Sequence, residues 1–331
     1  MDAKITKKRL SGLLSYDWLK IVGLAVAVII FWNLVFTMTA TRVRPSQQFS
    51  VFNHYANRTL SDDYYDGLNK ALEGDVFSYE VIETTNNDLT TAGDVLSTLL
   101  EGRLSTDEGD VLLIPNIPDA DTAYEENGET KYKSNYLQTF LRGYRFYLYD
   151  LDFEKEGGYF YELKEYLNGY YTEGYQNAES LDEAKVEKDF RDRAKANKDK
   201  RFKTEELLAQ FAKKDVERVK KYRDALVMLE SYLAEGLVEF TDVAVYNDDG
   251  STLYEGKFAL NLCPNKDTME NLKKQFSYQI TEKNEEGKDQ VRITAENMNV
   301  MFFKTAGTEE SFQYESLLYV VNLIEKSKTE A

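Results

Sequence analysis

The sequence predicts an α/β fold that follows a single membrane-spanning helix. Residues 19–40 form a long, mostly apolar run, and between residues 48 and 116 strand-like and helix-like patterns alternate. Strands that alternate with helices are typical of a parallel sheet covered by helices. The chain has 331 residues, so what remains beyond the apolar run is large enough for an ordinary core and for two lobes.

The apolar run 19–40 predicts a membrane anchor. It is longer than the core of a signal peptide and long enough to cross roughly 30 Å of hydrocarbon. A cleaved signal peptide is the alternative, but Met38-Thr39-Ala40 fits a cleavage site poorly. The basic tail, residues 1–18, contains Lys4, Lys7, Lys8 and Arg9, whereas only Arg42 and Arg44 follow the run closely.

This distribution of basic residues predicts the orientation of the chain. By the positive-inside rule, the N-terminus lies in the cytoplasm and residues 45–331 form an extracytoplasmic domain. The protein is therefore expected in the cell membrane, as a single-pass protein with its main domain outside.

Charge and cysteine content restrict the partners and the source. Residues 1–44 carry a net charge of +5, so residues 45–331 carry −22 of the chain's total of −17. Such a domain is expected to repel nucleic acid and anionic lipid, and no nucleic-acid partner is expected. Cys263 is the only cysteine, which rules out an intramolecular disulfide. An outer domain without disulfides favours a Gram-positive bacterial surface.

The segment 45–116 predicts a βαβαβ lobe. Its last strand lies in GDVLLIPN, where four apolar residues follow a glycine and an aspartate and end at a proline, as expected of a strand buried on both faces. Right-handed crossovers make the strands parallel. The strands are predicted at 48–55, 77–83 and 109–116, and the helices at 61–73 and 89–104.

A binding site is predicted where these strands end. In an open parallel sheet, ligands bind beyond the carboxyl ends of the strands. The polar residues there are Asn53, His54, Tyr55 and Asn116. They offer two amides, an imidazole and a phenol, which suit recognition of a hydroxyl or a carboxylate. A histidine hydrogen-bonded to backbone is the alternative for His54.

The rest of the chain divides by composition. Residues 144–236 are predicted to be helical, first rich in tyrosine and then charged, with a long helix at 204–235 that ends at Gly236. Residues 237–328 are predicted to form a second lobe, with a hairpin around the turn Asn247–Gly250, two further strands and a final helix. The turn could also suggest calcium, but Val245 has no side-chain oxygen where an EF-hand needs one.

Catalytic chemistry has little support in the sequence. The chain has one histidine and lacks the phosphate-loop, dinucleotide, nucleophile-elbow and zinc-protease motifs. A thiol dyad of His54 with Cys263 and a paired-carboxylate hydrolase are the remaining catalytic alternatives. We therefore expect no enzyme, no cofactor and no metal.

Two segments have both a functional and a structural interpretation. The tyrosine-rich stretch 144–175 could stack on sugars or line a peptide groove, or could pack inside the domain. The segment 182–203 carries nine basic and six acidic residues. It could dock an acidic partner, or could be a solvated helix stabilised by pairs such as Asp189 with Arg193.

Several stretches together resemble uncharacterised single-span surface proteins of Gram-positive bacteria, whose ectodomains are similar to the extracytoplasmic solute-binding proteins of ABC transporters. The stretches are QFSVFNHY, GDVLLIP, FYLYDLD, FRDRAKANKDKRFKTEE and FALNL. The resemblance implies a two-lobed, periplasmic-binding-protein-like α/β ectodomain with a cleft between the lobes. The chain departs from that pattern in its protein anchor and in a charged helical insertion at roughly 178–236.

The expected function is non-catalytic binding of a small polar ligand or a cell-envelope component, with a transporter or envelope protein as a possible partner. The alternative is a structural or interaction protein of the envelope. It would have a closed, unused cleft and would dock its partner through the helices of 180–236.

Overall fold

The computed structural model describes residues 7–8, 11–12, 18–39, 48–54, 83–89, 95–106, 108–196, 202–247, 249–264, 277–283, 287–304 and 313–329. The chain forms two compact units, Met1–Val43 and Arg44–Ala331. In the first unit, helix α1 (Trp18–Thr39) exposes its apolar side chains, and its segment Trp18–Thr37 has a mean hydropathy of 2.3. It is long and apolar enough to cross a membrane, as an anchor or as a signal sequence.

The second unit is mixed α/β. Its strands are β1 (Gln48–Asn53), β2 (Glu83–Asp88), β3 (Val111–Pro115), β4 (Ala123–Glu126), β5 (Glu129–Tyr132), β6 (Glu239–Tyr246), β7 (Thr252–Asn261), β8 (Tyr278–Lys283), β9 (Asp289–Thr294) and β10 (Met298–Phe302). Its helices are α2 (Leu96–Leu104), α3 (Tyr136–Tyr144), α4 (Tyr159–Asn168), α5 (Glu183–Ala196), α6 (Glu205–Ala234) and α7 (Glu315–Thr329).

A six-stranded sheet organises this unit, in the order β2-β1-β3-β10-β7-β6. β1 is parallel to both β2 and β3, as the alternating pattern predicts. The predicted helix 61–73 and most of the predicted strand 77–83 lie outside the described residues; β2 begins at Glu83, where that strand was expected to end.

β3 is buried on both faces, as its sequence predicts. Val111 and Leu113 pack against α4, α6 and α7 on one side, which we call the α6 face. Leu112 and Ile114 pack against α2 and α3 on the other side, the α3 face. Each such side chain contributes roughly 1.5–3 kcal/mol when it is removed from water. The central strand is therefore the part of the sheet that tolerates polar substitution least.

The two-lobed, binding-protein-like arrangement is not confirmed. β10 is antiparallel to β3 and aligns Val300 with Leu113, and β7 and β6 continue the same sheet. β10 (MNVMF) is buried at every position, so it is stable only with neighbours on both sides and helices on both faces. Three of the strands expected in a second lobe, β6, β7 and β10, thus complete the first sheet, whereas the predicted strand 291–294 forms β9, which pairs with β8 in a separate hairpin.

Other elements agree with the sequence or add to it. Thr204 caps α6, and Gly236, with φ +70°, follows its end. β6 and β7 form the expected hairpin, in which Gly250 takes φ +82°. α5 and the first half of α6 form the charged insertion, with a small core of Phe190, Leu208 and Ala212. The hairpins β4–β5 and β8–β9 were not predicted as such.

Candidate functional site

The carboxyl ends of β1 and β3 lie side by side. The backbone N–H of His54 donates to the carbonyl of Leu113 over 2.9 Å, which continues the ladder one residue beyond β1. Asn53 and Asn116 therefore follow neighbouring strands at one edge of the sheet. Tyr55, the fourth residue of the predicted site, lies outside the described residues.

Asn53 and His54 point to opposite faces of the sheet. Successive side chains of a strand alternate, and Phe52 packs on the α3 face. Asn53 is accordingly fully buried on the α6 face. The ring of His54 lies on the α3 face, 5.9 Å from that of Tyr136 and 6.0 Å from that of Phe140. Of Asn53 and His54, only His54 can therefore share a small volume with groups on the α3 face.

Helix α3 brings Tyr136 to this edge. Asn135 caps the helix: its side chain accepts from the N–H of Gln138, whose side chain accepts from the N–H of Asn135 in return. The N–H of Tyr136 donates to the carbonyl of Ile117 over 2.9 Å, so the helix begins against the chain that leaves β3. The Asn-x-x-Gln pattern was the available sequence signal for a helix that starts here, and it was missed.

Asn116 follows β3 two residues after Ile114, so strand alternation assigns it to the α3 face as well. Its N–H donates to the carbonyl of Asn297 over 2.8 Å. Its buried side-chain oxygen, Oδ1, accepts no hydrogen bond from the residues that the structure describes. A buried acceptor without a donor costs about 1–3 kcal/mol, so native proteins rarely leave one without a purpose.

Acidic neighbours set the electrostatics of the edge. Burial, together with the negative charges of Asp119 and Asp121, raises the pKa of the Tyr136 hydroxyl, which stays protonated at neutral pH. Asp119 is buried and accepts from Thr139 and from the N–H of Asp121. The edge therefore places an uncharged phenol close to two acidic side chains.

A second candidate is an open cleft of about 370 Å³ beside β6 and β7. Its charged side chains are partly paired with one another: Asp150 with Lys155 at 2.5 Å, and Asp152 with Lys257 at 3.0 Å. Gly256 lets the Asp150 carboxylate approach the strand, since a Cβ there would lie 2.4 Å from Oδ2. These pairs stabilise the loop that follows Asp150, so much of the charge in the cleft serves the fold.

The cleft does not form a metal site. Asp242 and Glu255 also line it. Among the described residues, no group of three or more histidine, cysteine or acidic side chains is arranged to hold a metal ion.

Two carboxyl groups, the half-buried Asp110 and the buried Glu315, lie at the opposite end of the sheet and were not predicted. Asp110, just before β3, accepts from the N–H of Ser50 over 2.8 Å. Glu315, the first residue of α7, accepts from the hydroxyl of Tyr222 over 3.0 Å. Burial raises the pKa of Asp110 to about 7 and that of Glu315 to about 8.

The other candidates of the sequence are mostly structural. Tyr159, Tyr170, Tyr171 and Tyr175 of the tyrosine-rich stretch are buried. In the charged insertion, Arg193 bonds Asp215 over 2.9 Å, and Asp215 also pairs with the buried Arg218.

The thiol dyad is excluded by the sheet. Cys263 is buried in the core of the α6 face, whereas His54 packs on the α3 face. The sheet separates the two side chains.

The chain matches no protein-family model, no curated protein and no solved structure with which it was compared.

Proposed function

We propose that this chain is a membrane-anchored, non-catalytic binding protein whose main domain lies outside the cell and takes a small polar ligand at the carboxyl ends of β1 and β3. The observation that carries the proposal is the buried Oδ1 of Asn116, which accepts no hydrogen bond from the described residues. A hydroxyl or amine of a ligand is the donor that this oxygen needs.

Two further side chains support a binding site at the same place. His54 lies beside Tyr136, and Tyr136 starts α3 against Ile117, the residue after Asn116. The amide of Asn116, the imidazole and the phenol therefore belong to the same edge and the same face of the sheet. Asn53 is left out of the proposed site because alternation along β1 buries it on the other face.

The location and the lack of catalysis belong to the proposal as well. The basic residues before the apolar helix support a cytoplasmic N-terminus, and a domain without disulfides supports a Gram-positive surface. The single histidine and the missing catalytic motifs support binding without reaction. Closure of two lobes is not included, because β3, β10 and β7 belong to one sheet.

A specific observation supports one alternative, an interaction protein that docks through its helical insertion. α5 and the first half of α6 pack on each other around Phe190, Leu208 and Ala212, apart from the two main cores. A helical hairpin with its own core can present a charged surface to a partner protein without disturbing the sheet. The ligand test below separates the two proposals.

The test compares two buried amides. Asn116 and Asn322 each have a buried oxygen that accepts no hydrogen bond from the described residues, but Asn322 lies on α7, on the opposite side of the sheet. We expect one member of a panel of amino acids, hexoses and dicarboxylates to raise the melting temperature, with about 2.7 kcal/mol of stabilisation at 100 times its Kd.

In Asn116→Leu that stabilisation should be lost, while the ligand-free melting temperature stays the same or rises, because an unsatisfied group has been removed. Asn322→Leu should keep the ligand response. If the wild type responds and Asn116→Leu responds equally, the site is wrong. If no compound shifts the wild type, the interaction protein becomes the better proposal.

A further inference from the structure

One end of the central sheet gathers segments that are far apart in sequence. β1 and β3 begin at this end, which we call the amino end. Because neighbouring strands from β3 to β6 are antiparallel, β10 and β6 finish at the amino end and β7 begins there. The turn 145–147 lies there too, since the N–H of Lys304 donates to the carbonyl of Tyr147 over 2.6 Å.

Large apolar side chains are exposed at the amino end. Phe146 is 83% exposed, and Tyr246 and Leu253 are each 47% exposed. Single exposed apolar residues are common on soluble domains and need no explanation. Here, however, they occur with cations. The guanidinium of Arg145 lies 4.6 Å from the ring centre of Tyr254 and 5.9 Å from that of Phe146.

Two more cations complete this surface. Arg142 is exposed, and its Nη2 donates to the carbonyl of Tyr246 over 2.7 Å. Lys304 is exposed directly after β10. Acidic residues are near as well. Asp249 lies in the β6–β7 turn. Burial raises the pKa of Tyr144, and the nearby negative charge of Glu101 raises it further. We define the amino-end surface as Arg142, Arg145, Phe146, Tyr246, Leu253 and Lys304.

The composition of the amino-end surface fits a bilayer. Aromatic and basic side chains together favour the interface between water and lipid, where rings enter the headgroup region and cations meet anionic headgroups. Each Lys or Arg near an anionic surface contributes about 1 kcal/mol. This matters in a domain that carries −22, because most of its surface is repelled by such a bilayer.

We propose that the amino-end surface binds an anionic lipid bilayer, with Phe146 and Leu253 entering the headgroup region and the three cations contacting the headgroups. This inference does not depend on the ligand of the proposed function, because the two surfaces occupy opposite ends of the sheet.

The test uses the full chain in nanodiscs with and without anionic lipid. A fluorescent label at Gly143→Cys reports on the amino-end surface, since a Cβ at Gly143 meets open space. A label at Thr130→Cys, on the exposed hairpin β4–β5 that follows the carboxyl end of β3, is the matched control. The native Cys263 is buried, and labelling of the parent protein measures its background.

We expect lipids that carry a quencher to quench the label at residue 143 and to leave the label at residue 130 bright. Phe146→Ser should reduce the fraction of protein in contact with lipid about tenfold, because one apolar side chain is no longer removed from water. Lys304→Gln should reduce it about fivefold, and only with anionic lipid. Val291→Ser removes a comparably exposed apolar residue, 60% exposed on β9, and should change nothing.

Equal quenching at residues 143 and 130 would overturn the proposal, as would quenching that persists unchanged in Phe146→Ser. Equal contact with and without anionic lipid would remove the role of the cations. The melting temperature of each variant should match that of the wild type, because Phe146 and Lys304 are exposed. A loss of quenching at an unchanged melting temperature identifies lipid as the partner, because the quencher is carried by the lipid.

Discussion

The two ends of β1 and β3 bury polar groups of different chemistry. At the carboxyl end, Asn116 offers a neutral amide oxygen beside His54 and Tyr136. At the amino end, Asp110 and Glu315 are carboxyl groups whose pKa values burial raises to about 7 and about 8. An unsatisfied neutral acceptor costs about 1–3 kcal/mol at every pH, whereas a buried acid makes the stability of the fold depend on pH.

The two ends differ in the charge of their polar groups. Asp110 accepts from the backbone of Ser50, and Glu315 accepts from Tyr222 through one of its carboxyl oxygens. The other oxygen of Glu315, Oε2, is buried without a partner among the described residues, as is Oδ1 of Asn116. An unsatisfied oxygen is therefore found at both ends, but only the one at the amino end belongs to a group that titrates.

The largest effect is expected in the strand that joins the two ends. Leu113 is fully buried in the core of the α6 face. Leu113→Asp would place a carboxylate there without a partner and cost more than about 4 kcal/mol, enough to prevent folding. Circular dichroism and urea unfolding check this. Lys188→Glu, on the exposed side of α5, should change the stability by less than about 0.5 kcal/mol. Similar stability of the two variants would contradict the central position of β3.

The second-largest effect is a dependence of stability on pH, which arises at the amino end of the sheet. The pKa of Glu315 rises from 4.5 to about 8 on folding, and that of Asp110 rises from 3.8 to about 7. The folded state therefore holds these protons more tightly than the unfolded state. The stabilisation that the two carboxyl groups contribute to folding is fully present below about pH 4 and is lost as the pH rises through 7 and 8.

Glu315→Gln should remove part of this pH dependence. Glutamine can still accept from Tyr222. The charged groups that face this position are unchanged in the variant: Arg218 and Lys221 on α6 and the carboxyl of Asp110. We expect the variant to be more stable than the wild type at pH 9, by roughly 1–3 kcal/mol, and nearly equal to it at pH 4. Urea unfolding at both pH values measures the difference. A variant that is less stable at pH 9 would show that ionised Glu315 stabilises the fold.

Much of the sheet could be predicted from the sequence, because it depends on local patterns. The run VLLIP identifies a strand buried on both faces, and the hairpin turn at Gly250 identifies β6 and β7. The place of β10 beside β3 could not be predicted, since it pairs residues such as Val300 and Leu113 that are nearly two hundred positions apart. Long-range pairing depends on the whole core and leaves no local signal.

The candidate site was predictable only in part. Its edge follows from the parallel strands, and the separation of Asn53 from His54 follows from strand alternation, a rule that the sequence analysis did not apply. The burial of Asp110 and Glu315 could not be foreseen, because solvent exposure is set by helices that pack from distant parts of the chain.

The smallest effect concerns the cap that places Tyr136. Asn135→Ala removes one side of the capping box of α3 and should cost about 1 kcal/mol. Thr204→Ala is the matched control and should cost a similar amount, because Thr204 caps α6 by accepting from the N–H of Leu207 over 3.2 Å.

The NMR signals of the imidazole show whether the cap positions Tyr136. The chain has a single histidine, so these signals report on His54 alone. Since the ring of Tyr136 lies 5.9 Å from that of His54, Asn135→Ala should shift these signals, whereas Thr204→Ala should leave them in place. Unchanged signals in both variants would mean that α3 does not position the group at the carboxyl end, and the difference between the two ends would then rest on Asn116 alone.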